Sequence, residues 1–165
     1  MSWDSNTAYH QGISEAYAAM NAANALGFTE FTIIYYDMEG YDPSVSGCEL
    51  AANSFLYGWD QTLNNNARHS GVYGSACSSA LADLAGIPVV PEQIWFLDPN
   101  YVRDVYPASC IPDTYWTGNQ RHHQYATNYT GTWLNTTLTI NASCAMGLTA
   151  GSHHYDDPNG GSACP

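Results

Sequence analysis

Apolar and polar positions alternate in a way that predicts a mixed order of helices and strands. Residues 10–26 place Ile13, Tyr17 and Met20 on one stripe of an Ala-rich segment, which predicts a helix, and Gly27 supplies its stop. Phe31–Glu39 is β-branched, aromatic and almost continuously apolar, the pattern of a strand buried on both faces. Gly40–Ser44 breaks it. Cys48, Ala52, Phe55, Trp59 and Leu63 recur at helical spacing and predict a helix over 48–63. A short strand is expected at His69–Ser75, a helix over 77–85 with Leu81, Leu84 and Ala85 on one side, and a strand at Gln93–Asp98. Residues 99–119 contain Pro99, Pro107 and Pro112 and read as a loop. Two last strands are expected at Arg121–Ala126 and Trp133–Asn141, and the Gly/Ser/Asp-rich stretch 151–165 reads as irregular. Strands alternating with helices imply a parallel sheet with right-handed crossovers.

Charge narrows the range of partners. Fifteen acidic residues face three basic ones, Arg68, Arg103 and Arg121, with no lysine and a formal net charge of −12. Such a chain cannot bind nucleic acid by neutralising phosphates, and an anionic membrane would repel it. No apolar stretch approaches the roughly 20 residues of a membrane span. The composition, 45% hydrophobic and 13% aromatic, is that of a folded domain. Cysteines at 48, 77, 110, 144 and 164 form no Cys-x-x-Cys pair, so a zinc site is not expected, and their spacing fits an oxidising compartment with one thiol left over. Met1-Ser-Trp-Asp4 lacks the basic and apolar start of a secretory leader.

Asp37 and Glu39 are the sharpest chemical feature. Residues i and i+2 of a strand share a face, so their Cα atoms lie about 6.5 Å apart. They end an apolar strand immediately before a turn, where barrel enzymes place catalytic groups. Two carboxylates flanking a bond can cleave a glycoside, one donating a proton and the other acting as base, nucleophile or cation stabiliser. Tyr73, Trp95, Asp98, Gln124 and Tyr125 lie at or near strand ends and are candidates to line a saccharide cleft, or are simple barrel packing. Of His122 and His123, at most one points inward. No metal or cofactor is expected. Asn128, Asn135 and Asn141 each head an Asn-x-Ser/Thr glycosylation sequon.

The segment Ile34-Tyr-Tyr-Asp-Met-Glu39 followed by Gly-Tyr-Asp resembles the Asp-x-Glu strand of the family 25 glycoside hydrolases, the Chalaropsis-type lysozymes. It is more similar still to a secreted glycoside-hydrolase-like domain of unknown function common in actinobacteria. Phe55-Leu-Tyr-Gly-Trp59, Ser70–Ser75, Ile94-Trp95 ending at Asp98, and Tyr115-Trp116 leading into Asn119–Tyr125 agree with that second family, as does Leu138-Thr-Ile-Asn141. The resemblance implies an α/β fold, a partial (β/α)8 TIM-type barrel with strands four to eight present and the first three missing from this chain. It implies a barrel part over 1–147 and an irregular tail over 148–165. It also implies Glu39 as general acid and Asp37 as stabilising or orienting carboxylate. Asn141 stands where the family carries an aspartate, a departure that removes a charge.

The function expected from these readings is a metal-independent hydrolase of cell-wall or extracellular polysaccharide, with peptidoglycan or another polysaccharide as partner and a secreted or cell-wall location. The alternatives are a non-catalytic carbohydrate-binding or cell-surface module, and a secreted structural protein that self-assembles. A five-stranded partial barrel is expected to need a second chain, self-association or an upstream segment. The same topology places Cys77 and Cys110 at one barrel end and predicts a bond between them, with Cys144 paired to Cys164 and Cys48 left over.

Overall fold

Local signals set the helix starts, the first helix beginning five residues ahead of the expected 10–26. Asp4 accepts hydrogen bonds from the Thr7 backbone N (2.8 Å) and the Thr7 hydroxyl (2.6 Å), capping helix α1, Ser5–Ala25. Gly47, at φ 88°, leads into helix α2, Cys48–Asn65. The structure, a computed structural model, describes residues 4–42, 44–84, 91–107 and 110–146. The expected tail, Cys164 included, lies outside the described residues. Strand β1 is Ile33–Asp37, β2 His69–Ser75, helix α3 Ser79–Leu84, β3 Gln93–Leu97, β4 Arg121–Trp133 and β5 Thr136–Met146. Each predicted element up to β3 is present, with ends shifted by a few residues.

The five strands form one sheet in the order β1-β2-β3-β4-β5. The first three pairings are parallel and β5 runs antiparallel to β4. This overturns the expectation of strands four to eight of a TIM-type barrel: the sheet is a curled, mixed half-barrel. The reason is the connection. Trp133 pairs with Thr136, and the two residues between, Leu134 and Asn135, both have positive φ (47° and 68°). That is the backbone of a tight hairpin turn, which sends the chain straight back, whereas a parallel return needs a crossover of about a dozen residues. The strands expected at 121–126 and 133–141 are therefore the two arms of one long hairpin.

The helices cover one face of the sheet. Their core joins Phe55, Leu56, Trp59 and Leu63 of α2 to Val72, Ile94 and Phe96 of the strands, with Ile34 and Tyr36 packed against it. Helix α1 packs on α2, and of the expected stripe Ile13, Tyr17 and Met20 only Met20 is buried. Its buried positions are Ala8, Gly12, Ala16 and Met20, while Tyr17 is half exposed. Small residues win this face because the two backbones nearly touch. A Cβ built on Gly12 would sit 2.0 Å from the Phe55 carbonyl oxygen, and one on Gly58 would sit 2.3 Å from that of Tyr9.

The proline-rich connection 99–119 carries no described helix and is pinned instead. Arg121, fully buried on β4, donates to the carbonyls of Tyr115 (2.7 Å), Pro112 (2.5 Å) and Val105 (3.4 Å), and its guanidinium lies 4.5 Å from the Tyr106 ring centre. His123 bridges the Asp98 and Asp104 carbonyls. The expected Cys77–Cys110 disulfide is present and ties the same loop to the end of β2. Cys144 is also disulfide-bonded, and Cys48 is free, as expected. Arg68 is likewise buried, on the Phe28 carbonyl (3.1 Å) and the Asn24 side chain. Two of the three cations therefore serve as backbone clamps.

Two stability tests follow from this packing. Gly58→Ala forces a methyl into the Tyr9 backbone and should destabilise the fold by about 1–3 kcal/mol, read as a lowered melting temperature. Asp60 is buried against the Ser70 hydroxyl, and burial holds its carboxyl above the usual range. The folded state thus binds its proton more tightly than the unfolded chain, so this group lowers stability as pH rises from about 4 towards neutral. Asp60→Asn keeps the acceptor for Ser70 and should be more stable than the parent at pH 7, with the advantage shrinking as pH falls from neutral and gone below about pH 4 in denaturant titrations.

Candidate active site

The register carries one row of side chains across the four parallel strands. Asp37 pairs with Tyr73, Tyr73 with Trp95, and Trp95 with His122. Neighbouring strands are about 4.8 Å apart, so this row spans roughly 14 Å on the face turned away from the helices. The rings touch along it: Tyr73 and Trp95 centres are 5.2 Å apart in an edge-on arrangement, and Trp95 and His122 are 6.4 Å apart. Next to the row, Tyr35 lies across Gly71, whose missing side chain leaves the space; a Cβ there would sit 2.4 Å from the Tyr35 ring. The tyrosine therefore reaches over β2 and donates to Gln93 Oε1 on β3 at 2.8 Å. It packs edge-on against both Trp95 (5.8 Å) and His122 (5.6 Å).

Asp37 and Glu39 stand at the exposed end of this face, with Met38 buried between them and its N–H bonded to the Tyr73 carbonyl at 2.8 Å. That bond, and the close seat of the Met38 carbonyl on Gly74, hold the strand end in place. Burial raises the Tyr73 hydroxyl above its ordinary value, and the negative charges of Asp37 and Glu39 raise it further. Both carboxylates thus act on one hydroxyl, which stays protonated at neutral pH and can donate. Tyr73 itself lies 3.4 Å from Gln124 Oε1. Asp37, Glu39, Tyr73, Trp95 and Gln124 are thereby brought together.

Three sequence candidates are placed elsewhere. The Asp98 carboxylate accepts from the Asn100 side chain at 2.8 Å and shapes its own turn. Tyr125 is on the opposite face of β4, packed with Val105, Ala126 and Cys144 and lying under Arg103 at 5.7 Å. Asn141 is on β5, four strands from β1, where its Oδ1 accepts from the Asn128 N–H at 3.3 Å. The reading of the strand ends missed the contributions of Tyr35 and His122. Their signal was the two-residue period: Tyr35 shares a face with Asp37, and His122 with Gln124, while His123 stacks on Phe96 across the sheet. A separate groove of about 340 Å³, lined by Thr7, His10, Gln11, Ser14, Glu15, Tyr36 and Phe55, opens beside α1 and includes neither carboxylate.

The family model described as Rv2525c-like, glycoside hydrolase-like domain matches residues 2–144. The chain belongs to this family. Comparison with curated proteins and with solved structures finds no match. In this glycoside hydrolase-like domain the matched stretch runs from α1 through most of β5 and takes in every residue of the aromatic row. No helix among the described residues is long and apolar enough to cross a membrane.

His122 gives the glycoside hydrolase-like domain a pH signature. The ring is buried, its Nε2 has no hydrogen-bond partner, and burial pushes its pKa down to about 4. The unfolded chain binds this proton near pH 6.5, the folded chain only near 4, so the contribution to stability is complete above about pH 6.5 and is lost as pH falls through 4. The loss at low pH amounts to about 3 kcal/mol. His122→Phe removes the titrating group while keeping a ring. Its stability relative to the parent should rise between pH 6.5 and 4 in chemical denaturation; a gap independent of pH would show that His122 does not titrate in this way.

Proposed function

We propose that this glycoside hydrolase-like domain hydrolyses a glycosidic bond in an extracellular or cell-wall polysaccharide, with Glu39 as general acid and Asp37 as the carboxylate that stabilises the developing cation or orients water. The observation that carries the reading is the pair itself: two exposed carboxylates at i and i+2, Asp37 closing parallel strand β1 and Glu39 two residues beyond its end, beside an aromatic row. Glycoside cleavage needs one acid and one carboxylate flanking the scissile bond. It also needs a surface for the sugar, and ring faces and edges suit the apolar faces of pyranoses. Tyr73 adds a neutral donor within the influence of both carboxylates. Trp95 and Gln124 complete the floor. Peptidoglycan is one polymer of this class. An oxidising, extracellular location accords with a bonded Cys77–Cys110 pair and a bonded Cys144.

A second reading, carbohydrate binding without turnover, draws on the position of Asn141. It carries no charge and sits four strands from β1, so it adds no third carboxylate to the pair. The two readings part under one pair of measurements: reducing-end release, and retention on insoluble polysaccharide. Glu39→Gln should abolish release, a loss of at least about 100-fold, while melting temperature and retention stay at parental levels, since only the transferable proton is removed. Trp95→Ala should weaken retention. A parent that is retained but releases no reducing ends supports the binding module, and one that does neither overturns both readings.

A further inference from the structure

The distal half of the β4–β5 hairpin is unlike the rest of the molecule. From Asn128 to Asn141 every residue is exposed or half-buried, on both faces of the two-stranded ribbon. One face carries Tyr129, Trp133, Leu138 and Ile140, with the Trp133 ring lying over Gly131. The other carries threonines in facing pairs, Thr130 with Thr139 and Thr132 with Thr137, each with hydroxyl oxygens 3.1 Å apart. No described strand pairs with the outer edge of β5. That edge has none of the usual guards against pairing: no proline, no lysine and no inward charge over Thr136–Met146. In a chain of net charge −12, the stretch from His122 to Met146 contains no Asp, Glu, Lys or Arg at all.

We propose that this edge joins two copies of the chain, β5 pairing antiparallel with β5 of the second copy about a two-fold axis at Thr139. The occupant follows from three features. An open strand edge presents backbone donors and acceptors that another strand satisfies. The pattern Thr137-Leu138-Thr139-Ile140-Asn141 reads polar-apolar-polar-apolar-polar in both directions, so antiparallel self-pairing puts apolar on apolar. In this register Leu138 of each copy faces Ile140 of the other, and the threonine row continues through Thr139 on Thr139. Finally, two bodies of charge −12 repel, and the uncharged ribbon lets them meet at a distance comparable with the screening length of about 8 Å at physiological salt. This inference is independent of any activity towards polysaccharide.

One strand pair buries less than the ~800 Å² per partner of a standard stable interface, so the association is weak, with a dissociation constant of about 10–100 µM. Sedimentation of the full chain from about 5 to 500 µM should show a monomer–dimer equilibrium that tightens between 0.15 and 0.5 M salt, as repulsion is screened. Thr139→Lys places a charge at the axis and should leave a monomer with the parental melting temperature. In a Cys48→Ser background, Thr139→Cys should form a symmetric intermolecular disulfide with oxidised glutathione, because directly opposed residues in an antiparallel pair have Cα atoms about 4.5–5.5 Å apart. Thr130→Cys, one strand further from the axis, should not. A parent that remains monomeric at about 500 µM, a Thr139→Lys chain that still dimerises, or equal cross-linking of both cysteine variants overturns the proposal.

Discussion

Strand register is the constraint on which the site depends. Asp37, Tyr73, Trp95 and His122 come from four separate strands, and nothing but the parallel pairing aligns them in one row. Because side chains alternate across a strand, a slip of one residue anywhere in β2 or β3 would turn Tyr73 or Trp95 into the helix layer and bring Val72, Gly74, Ile94 or Phe96 out. The helix side prevents such a slip. Val72, Ile94 and Phe96 are fully buried among Phe55, Leu56, Trp59 and Leu63, and their exposure would forfeit about 25 cal/mol for each Å² of apolar surface. The core thus positions the carboxylates without touching them.

Glycines decide where this arrangement can be close. Gly12 and Gly58 let two helix backbones meet, which keeps α1 tight on α2. On the other face, Gly71 lets one tyrosine span three strands, so Tyr35 links β1 to Gln93 on β3 over the top of β2. The aromatic surface is held by ring-on-ring and ring-on-backbone contact, and its three titratable rings, Tyr35, Tyr73 and His122, are all shifted towards their neutral forms by burial. The surface is thus a ring-lined floor without charge, with the two carboxylates at its rim.

The long connection between β3 and β4 shows how a loop with no described helix can still be tied down at several points. Arg121 satisfies carbonyls of three loop residues, the His123 ring sits between those of Asp98 and Asp104, and the Cys77–Cys110 bond anchors the loop's middle. A buried guanidinium is tolerable here because its donors are used and the Tyr106 ring covers its face. Beyond this pinned region the hairpin runs on with no layer on either side among the described residues, and its apolar residues, Leu134 at 99% exposure above all, are exposed.

Helical and strand periodicity along the chain determined most elements through β3 and the choice of Cys77 with Cys110, because each depends on local spacing or on the order of elements. The stripe Cys48-Ala52-Phe55-Trp59-Leu63 and the run Phe31–Asp37 need no distant partner to be read. Strand direction is different. It depends on the turn, and Leu134-Asn135 lacks the Asn-Gly or Asp-Gly signature that marks a two-residue hairpin, so the reversal that breaks the barrel is not written locally. The buried face of α1 was hidden for a related reason: hydrophobicity pointed to Tyr17, but the distance between two backbones selected Ala8, Gly12 and Ala16. Tyr125 was legible as facing away from Gln124 by the two-residue period, whereas only the pairing of β4 with β5 put Asn141 four strands from Asp37. Periodicity gives the face a residue takes within its own element; which elements become neighbours, and how closely, is decided by packing across the whole sheet.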